Sequence, residues 1–417
     1  MFSPTKGREA AKVAMSGQRF LGSIFADVPM GEPDPILGLG QEFRKDPATT
    51  KVNLGIGVYR DDSDKPFVLE SVKQASVGDD MDYAPVIGVP GFLESVQQLC
   101  FGPRCAALKD GRIASCQSLG GTGALRVGGD LLRSFFNGCD RIYGPDVGYP
   151  NHKNIFGKAG LELIPYPYYN PATKGLNLHG MLKHLEDVPE RSVVLFHACA
   201  HNPTGVDPTH DEWLEVCKVI TRRHLVPFID MAYQGFATGD IEYDAFLPRC
   251  LVDMVPNILV AQSFSKNFGL YGHRCGALHV SATDSNEAER IMSQLAILIR
   301  PMYSNGPIFG ARVVNSILND SRLTELWMKE LRSMSSRIVD VRKRLVSELK
   351  ACGSTHDWSH IERQVGMMAY TGLTKEQVLL LKSKYHIYMT LNGRAAVSGL
   401  NSTNVEYVAR AIHDVTK

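Results

Sequence analysis

Lys266 closes the run Gln262-Ser263-Phe264-Ser265-Lys266, a lysine flanked by small hydroxyl side chains just after an apolar stretch. A lysine so placed, once deprotonated, can condense with an aldehyde. Asp230 ends Phe228-Ile229-Asp230 and leads into Met231-Ala232-Tyr233-Gln234-Gly235. A carboxylate there can hold a proton on a pyridine nitrogen, and the tyrosine beyond it can donate to a phenolic oxygen. Asn202 sits in His201-Asn202-Pro203-Thr204-Gly205, and Gly121-Thr122-Gly123 runs into Ala124-Leu125-Arg126. A glycine-rich turn opening a helix offers backbone N–H groups and a positive dipole to a phosphate. Singly these are ordinary features: a solvated lysine, a helix-capping aspartate, a plain turn. Together they describe a pocket for pyridoxal 5′-phosphate (PLP).

Such residues need a scaffold that brings them to one edge. Ser192 to His197 carries Val-Val-Leu-Phe, Leu225 to Ile229 reads Leu-Val-Pro-Phe-Ile, and Ile258 to Ala261 reads Ile-Leu-Val-Ala. Short continuous apolar runs suit strands buried on both faces of a parallel sheet. Between the first two lies Thr209-His210-Asp211-Glu212, the spelling of a capping box, followed by Trp213, Val216, Cys217 and Ile220 at helical spacing. Strand–helix–strand of this kind predicts an α/β core with right-handed crossovers. In open α/β sheets ligands bind beyond the carboxyl ends of the strands, where Asp230, Asn202 and Lys266 fall. Leu326 to Lys350 reads as a long amphipathic helix with Leu331, Met334, Ile338, Val341 and Leu345 on one stripe. The expected division is residues 23–60 and 326–417 in a smaller α/β domain and 61–325 in a large cofactor-binding domain.

The chain has 417 residues, with Lys+Arg 45 against Asp+Glu 44 and a formal net charge of +1. The balance gives no nucleic-acid footprint, and no apolar run is long enough to span a membrane. The nine cysteines include no Cys-x-x-Cys pair, which favours reduced thiols over a disulfide framework. His197 and His201 are spaced like metal ligands one helical turn apart, but the strand before them does not set them on one helical face, so no metal is expected. Residues 1–22 hold Lys6, Arg8, Lys12 and Arg19 against the single acid Glu9. That basic, acid-poor stretch reads as a mitochondrial transit peptide or a flexible N-terminus.

Three phrases go further: Ser263-Phe264-Ser265-Lys266-Asn267-Phe268-Gly269-Leu270-Tyr271-Gly272-His273-Arg274, His197 to Gly205, and Asp230 to Phe236. With them the chain resembles the aspartate aminotransferases, class I PLP enzymes of fold type I, from about Ile24 to the C-terminus. Gly31 to Leu37 and Ile299 to Asn305 resemble the mitochondrial branch. The resemblance implies a mainly parallel sheet flanked by helices, with a smaller α/β domain. It also implies reversible transfer of an amino group from L-aspartate to 2-oxoglutarate by a ping-pong course. A homodimer with shared active sites is implied as well, in the mitochondrial matrix, with the cytoplasm as the alternative. Carried over by position, Lys266 is the Schiff-base lysine and proton shuttle, Asp230 pairs with the ring nitrogen, and Tyr233 and Asn202 bond the ring oxygen. Gly121, Thr122, Ser263, Ser265 and Arg274 hold the phosphate, and Tyr83 reaches the neighbouring subunit's phosphate. Tyr149 covers the ring, and His152 supports Asp230. Arg394 clamps the substrate α-carboxylate, Arg300 reaches across the dimer to the distal carboxylate, and Gly57 lies beside the substrate.

Three positions depart from the family pattern. Tyr149 stands for the usual Trp, Gly120 for a phosphate-binding Ser, and Met368 for a Phe near the substrate entrance. They leave every essential group in place and point to a roomier substrate site, with an aromatic or kynurenine aminotransferase as the alternative reading. A β-lyase of the same class is a further relative. A nucleotide-dependent oxidoreductase would need a full Gly-x-Gly-x-x-Gly after Gly55-x-Gly57 and would leave Lys266 unexplained. A binding protein that had lost catalysis would lack Lys266, Asp230, Tyr233, Arg274 or Arg394, and all are present.

Overall fold

The apolar runs in the middle of the chain pair into one seven-stranded sheet. The computed structural model describes residues 27–31 and 34–417, so the segment 1–22 read as a transit peptide lies outside the described residues. The strands are β1 (Ile113–Leu119), β2 (Arg141–Pro145), β3 (Glu162–Tyr166), β4 (Val193–His197), β5 (Val226–Met231), β6 (Leu259–Ser263) and β7 (Cys275–Ser281). Their order across the sheet is β1-β7-β6-β5-β4-β2-β3. Every neighbouring pair is parallel except those of β7, which runs antiparallel to both β1 and β6. The three runs read from sequence are β4, β5 and β6.

The helices used below are α1 (Gly120–Phe135), α2 (Asn151–Lys158), α3 (His210–Arg222), α4 (Ser285–Met302), α5 (Ser321–Ala351) and α6 (Val405–Thr416). Of these, α1, α2 and α4 lie on one face of the sheet and α3 on the other. Val193 and Leu195 share a core cluster with Leu125 and Leu132 of α1 and Leu295 of α4. Their neighbours Val194 and Phe196 share another with Trp213, Val216 and Ile220 of α3. Successive residues of a strand thus feed opposite cores, so both must be apolar, which is why β4 reads as an unbroken run. The capping box at α3 is formed: the Thr209 hydroxyl accepts from the Glu212 amide, and the Glu212 carboxylate accepts from the Thr209 amide.

Helix α5 begins earlier than the apolar stripe indicates, because Asp320 accepts from the Leu323 amide at 3.0 Å and caps it. Its stripe of Leu331, Met334, Ile338, Val341 and Leu345 is buried. The helix ties two regions together. Near its start Trp327 Nε1 donates to Asn267 O at 2.8 Å, and its ring stacks on Phe268. Farther along it packs on α6. The early part of the chain joins the late part in the same region. Val52–Asn53 pairs in parallel with Ile387–Tyr388, and Ala396 N donates to Leu54 O at 2.7 Å. Arg394–Ala396 pairs antiparallel with Met368–Tyr370. This sets Gly55, Gly57, Met368 and Arg394 side by side. All nine cysteines are free thiols.

Candidate active site

Strand register brings the reactive residues to one edge. Asp230, near the end of β5, lies opposite His197 of β4 and Ala261 of β6. Chain leaving β6 at Ser263 passes Ser265 and Lys266 and returns as β7, whose first residue, Cys275, pairs with Leu119 at the end of β1. Arg274 therefore stands beside the turn that opens α1. It adopts a left-handed backbone, φ +49. From there its guanidinium donates to Ser265 Oγ at 3.3 Å, Tyr271 O at 3.0 Å and Leu119 O at 3.4 Å. Ser263 Oγ lies 3.3 Å from Ser265 Oγ.

The start of α1 has no side-chain cap, so among the described residues the N–H groups of its first turn have no side-chain acceptor. Gly120 is at φ +67, and a Cβ there would lie 2.7 Å from Arg274 Nη2. The departure from serine at this position thus matches a left-handed turn packed close to a guanidinium. Helix N-terminus, two hydroxyls and an arginine make an anion cradle.

Asp230 is buried, and its Oδ2 receives His152 Nε2 at 2.9 Å. Burial alone would raise its pKa; the hydrogen bond and charge of His152 outweigh that and hold it below the usual carboxylate range. His152 comes from α2, and the Tyr149 ring packs edge-on against it at 5.2 Å. Burial pushes His197 down to about 3. Tyr233 is buried and its phenol is raised by burial, with Arg394 and Asp230 nearby. Asn202 is buried, and its Oδ1 has no partner among the described residues. His152, His197 and Asp230 form a cluster whose potential ligand atoms lie within 4.8 Å of one another. The bond between His152 and Asp230 gives that cluster an account within the protein.

Lys266 Nζ donates to Gly57 O at 2.7 Å and sits 4.9 Å from the centre of the Tyr271 ring. Burial, then the charges of Arg274 and Arg394, push its pKa down to about 8. A Cβ on Gly57 would lie 2.2 Å from Met368 Cε and 3.9 Å from Lys266 Nζ. Met368 is thus a wall of the same space. Arg342 of α5 fixes that wall by donating to Ile361 O, Gly366 O and Met368 O. Arg394 is buried and donates to Gly55 O, while its Nε has no partner among the described residues. It makes no ion pair among the described residues. A buried guanidinium without an acid is an incomplete pair, and a carboxylate completes it.

Two expected residues stand apart. Tyr83 is exposed at the rim of a cavity of about 610 Å³ that Arg274, Tyr303 and Phe309 also line. Arg300, in the last turn of α4, is exposed and donates to Ser304 Oγ. Among the described residues neither makes a hydrogen bond or ion pair to Lys266, Asp230 or Arg394. Tyr271 was missed as a contact of the lysine; it lies inside the phrase ending at Arg274, but only the backbone turn reveals its approach.

The set fits PLP: an anion cradle, an ionised buried carboxylate, a buried phenol and a buried asparagine amide as donors, and an amine close to neutrality. Residues 49–412 match the family described as aminotransferase class I and II. The chain is 48% identical over 398 residues to the mitochondrial aspartate aminotransferase of Dictyostelium discoideum, spanning 94% of this chain and 93% of that one. It resembles the structure of a mitochondrial aspartate aminotransferase from Trypanosoma brucei at 75% identity and a TM-score of 0.90, covering 91% of this chain and 100% of the other. An aromatic-amino-acid aminotransferase from Burkholderia pseudomallei, covalently bound to pyridoxal phosphate, gives a TM-score of 0.91 at 42% identity over 95% of this chain and 100% of that one.

Proposed function

The chain belongs to the class I and II aminotransferases, and from that premise we propose how its residues divide the work of aspartate transamination. It acts with PLP on amino acids and 2-oxo acids, passing the amino group of L-aspartate to 2-oxoglutarate to give oxaloacetate and L-glutamate. When bound, PLP supplies an electron sink and stores the amino group between two half-reactions. Gly121, Thr122, Ser263, Ser265 and Arg274 hold its phosphate. Ionised Asp230, oriented by His152, keeps a proton on the ring nitrogen. Tyr233 and Asn202 donate to the ring oxygen, and Tyr149 covers the ring face. Arg394 binds the substrate α-carboxylate, beside the Gly57 backbone. Lys266 Nζ carries the proton released from the substrate Cα, which its lowered pKa lets it accept near neutral pH.

Arg394, buried beside the lysine and in no ion pair among the described residues, is the observation that carries this reading. An absorbance titration tests it. Purified protein loaded with PLP should show a visible band that bleaches with L-aspartate and returns with 2-oxoglutarate. Lys266→Ala should abolish the interconversion. A protein that never develops the band, even with added PLP, would sink the assignment.

Arg300 and Tyr83 act from a second protomer, which makes the working unit a homodimer with shared sites; their exposure on the single chain supports this. Residues 23–60 with 326–417 form the smaller domain, supported by the pairing of Val52–Asn53 with Ile387–Tyr388. The relatives named mitochondrial support a mitochondrial setting, and residues 1–22 serve as the transit peptide to the matrix. A broader aspartate and aromatic specificity is the second reading, favoured by the flexible Met368 wall. Equal loss of turnover on aspartate and phenylalanine in Tyr149→Trp would count against that breadth.

A further inference from the structure

Two carboxylates behind the site, the half-buried Asp207 and the buried Asp244, have no part in the chemistry above. We infer that Asp207 and Asp244 are positioning residues, one fixing the backbone that presents Asn202 and the other the backbone that follows Tyr233. The inference rests on the reading that Asn202 and Tyr233 face the ring oxygen of PLP.

The contacts are specific. Asp207 accepts from the Ala200 amide at 2.5 Å and the His201 amide at 2.8 Å. Ala200 is in a left-handed conformation, φ +48. A non-glycine residue held there needs its surroundings to impose it, and the next two residues lead to Asn202. Asp244 accepts from the Gly235 amide at 2.7 Å, the Ala237 amide at 3.1 Å and the Thr238 hydroxyl at 2.8 Å. Those donors form the turn that begins at Tyr233. Both acids line one cavity of about 170 Å³ between the two turns, together with Cys199, Trp213 and Thr238.

Neither acid has a cation: no ion pair involves them among the described residues. Burial instead raises Asp207 to about 6 and Asp244 to about 7, against the pull of their amide donors. A group that surface stability alone required would be cheaper as an exposed cap. Here each carboxylate gathers the backbone N–H groups of a turn next to a residue of the site. Removing an acceptor frees the turn and lets Asn202 or Tyr233 drift from its mark.

The test uses the full chain carrying PLP, with wild type, Asp207→Asn and Asp244→Asn in parallel. An asparagine keeps the volume but replaces one acceptor with a donor. Three quantities are read: the pH midpoint of the visible band, the PLP dissociation constant from tryptophan fluorescence of the apoprotein, and kcat with KM. An oxygen that loses a donor holds its proton more tightly, so the midpoint should rise by about half a pH unit or more. Turnover should fall about tenfold while KM for aspartate stays within about twofold, because Arg394 is untouched. A lower melting temperature with midpoint, dissociation constant and kcat all within about twofold of wild type would overturn the inference. If an asparagine variant does not fold, Thr238→Val removes the hydroxyl donor to Asp244, together with that hydroxyl's bonds to the Asp240 backbone, and Asp207→Glu keeps the charge while displacing it. Each should move the midpoint in the same direction by less, and an unmoved midpoint in both overturns the inference. A wild-type band that ignores aspartate would instead sink the reading on which it rests.

Discussion

A protonated lysine is neither nucleophile nor base, so the energetics of Lys266 decide when this site can react. Its pKa of about 8 means that folding without cofactor places an ammonium where burial and two guanidiniums disfavour it. The sign of the linkage follows. Between about 8 and the free value of about 10.4 the unfolded chain binds more protons than the folded one, so stability rises with pH across that window. The apoprotein of Lys266→Met should therefore melt higher than wild type at pH 7, and the difference should shrink as pH climbs from about 8 to about 10. An equal or lower melting temperature at pH 7 would contradict the burial argument. Arg394 makes the complementary case. A lysine keeps its charge but cannot present two parallel N–H donors, so Arg394→Lys should cut kcat/KM for aspartate by about a hundredfold while leaving the PLP band in place. Steady-state kinetics with both substrates check this; a change below about threefold would mean that Arg394 does not meet the carboxylate.

Elements set these side chains by register and by capping. Helix Lys375–Tyr385 carries a capping box from Thr374 and Gln377, remote in sequence from every residue assigned to the chemistry. Thr374→Ala should lower stability by about 1 kcal/mol with kcat unchanged, as read by thermal melting beside an activity assay. The opening of α1 behaves differently. Restoring a serine at Gly120 adds a hydroxyl, but it also puts a Cβ at φ +67 against Arg274. Gly120→Ser should therefore weaken PLP retention rather than improve it, measured as a faster loss of the visible band on dialysis. Tighter retention would show that the turn relaxes at little cost.

For the whole molecule, the decisive question is where Arg300 acts. It is exposed on the single chain, whereas Arg394 is buried. Mixing inactive Lys266→Ala with weakened Arg300→Ala and letting protomers exchange should restore activity. Each hybrid then holds one site with both wild-type residues, and mixed sites should reach about a quarter of wild-type turnover at equal amounts. No recovery after proven exchange would place Arg300 in its own protomer's site, or outside any site.

The strands β4, β5 and β6, the capped helix α3 and the stripe of α5 were legible because burial on two faces, capping and helical period are local rules written in consecutive residues. Lys266, Asp230, Tyr233, Asn202 and Arg274 were legible because each follows such an element and because the phrases around them resemble a known family. Other features lay beyond any local rule. Gly57 meets Met368, Tyr271 meets Lys266, and Asp207 and Asp244 share a cavity only after distant segments have packed. Residue types and spacing decided which groups were available. Packing alone decided which were desolvated and which buried cation makes no ion pair among the described residues, because pKa and pairing depend on neighbours that the chain brings together from far apart.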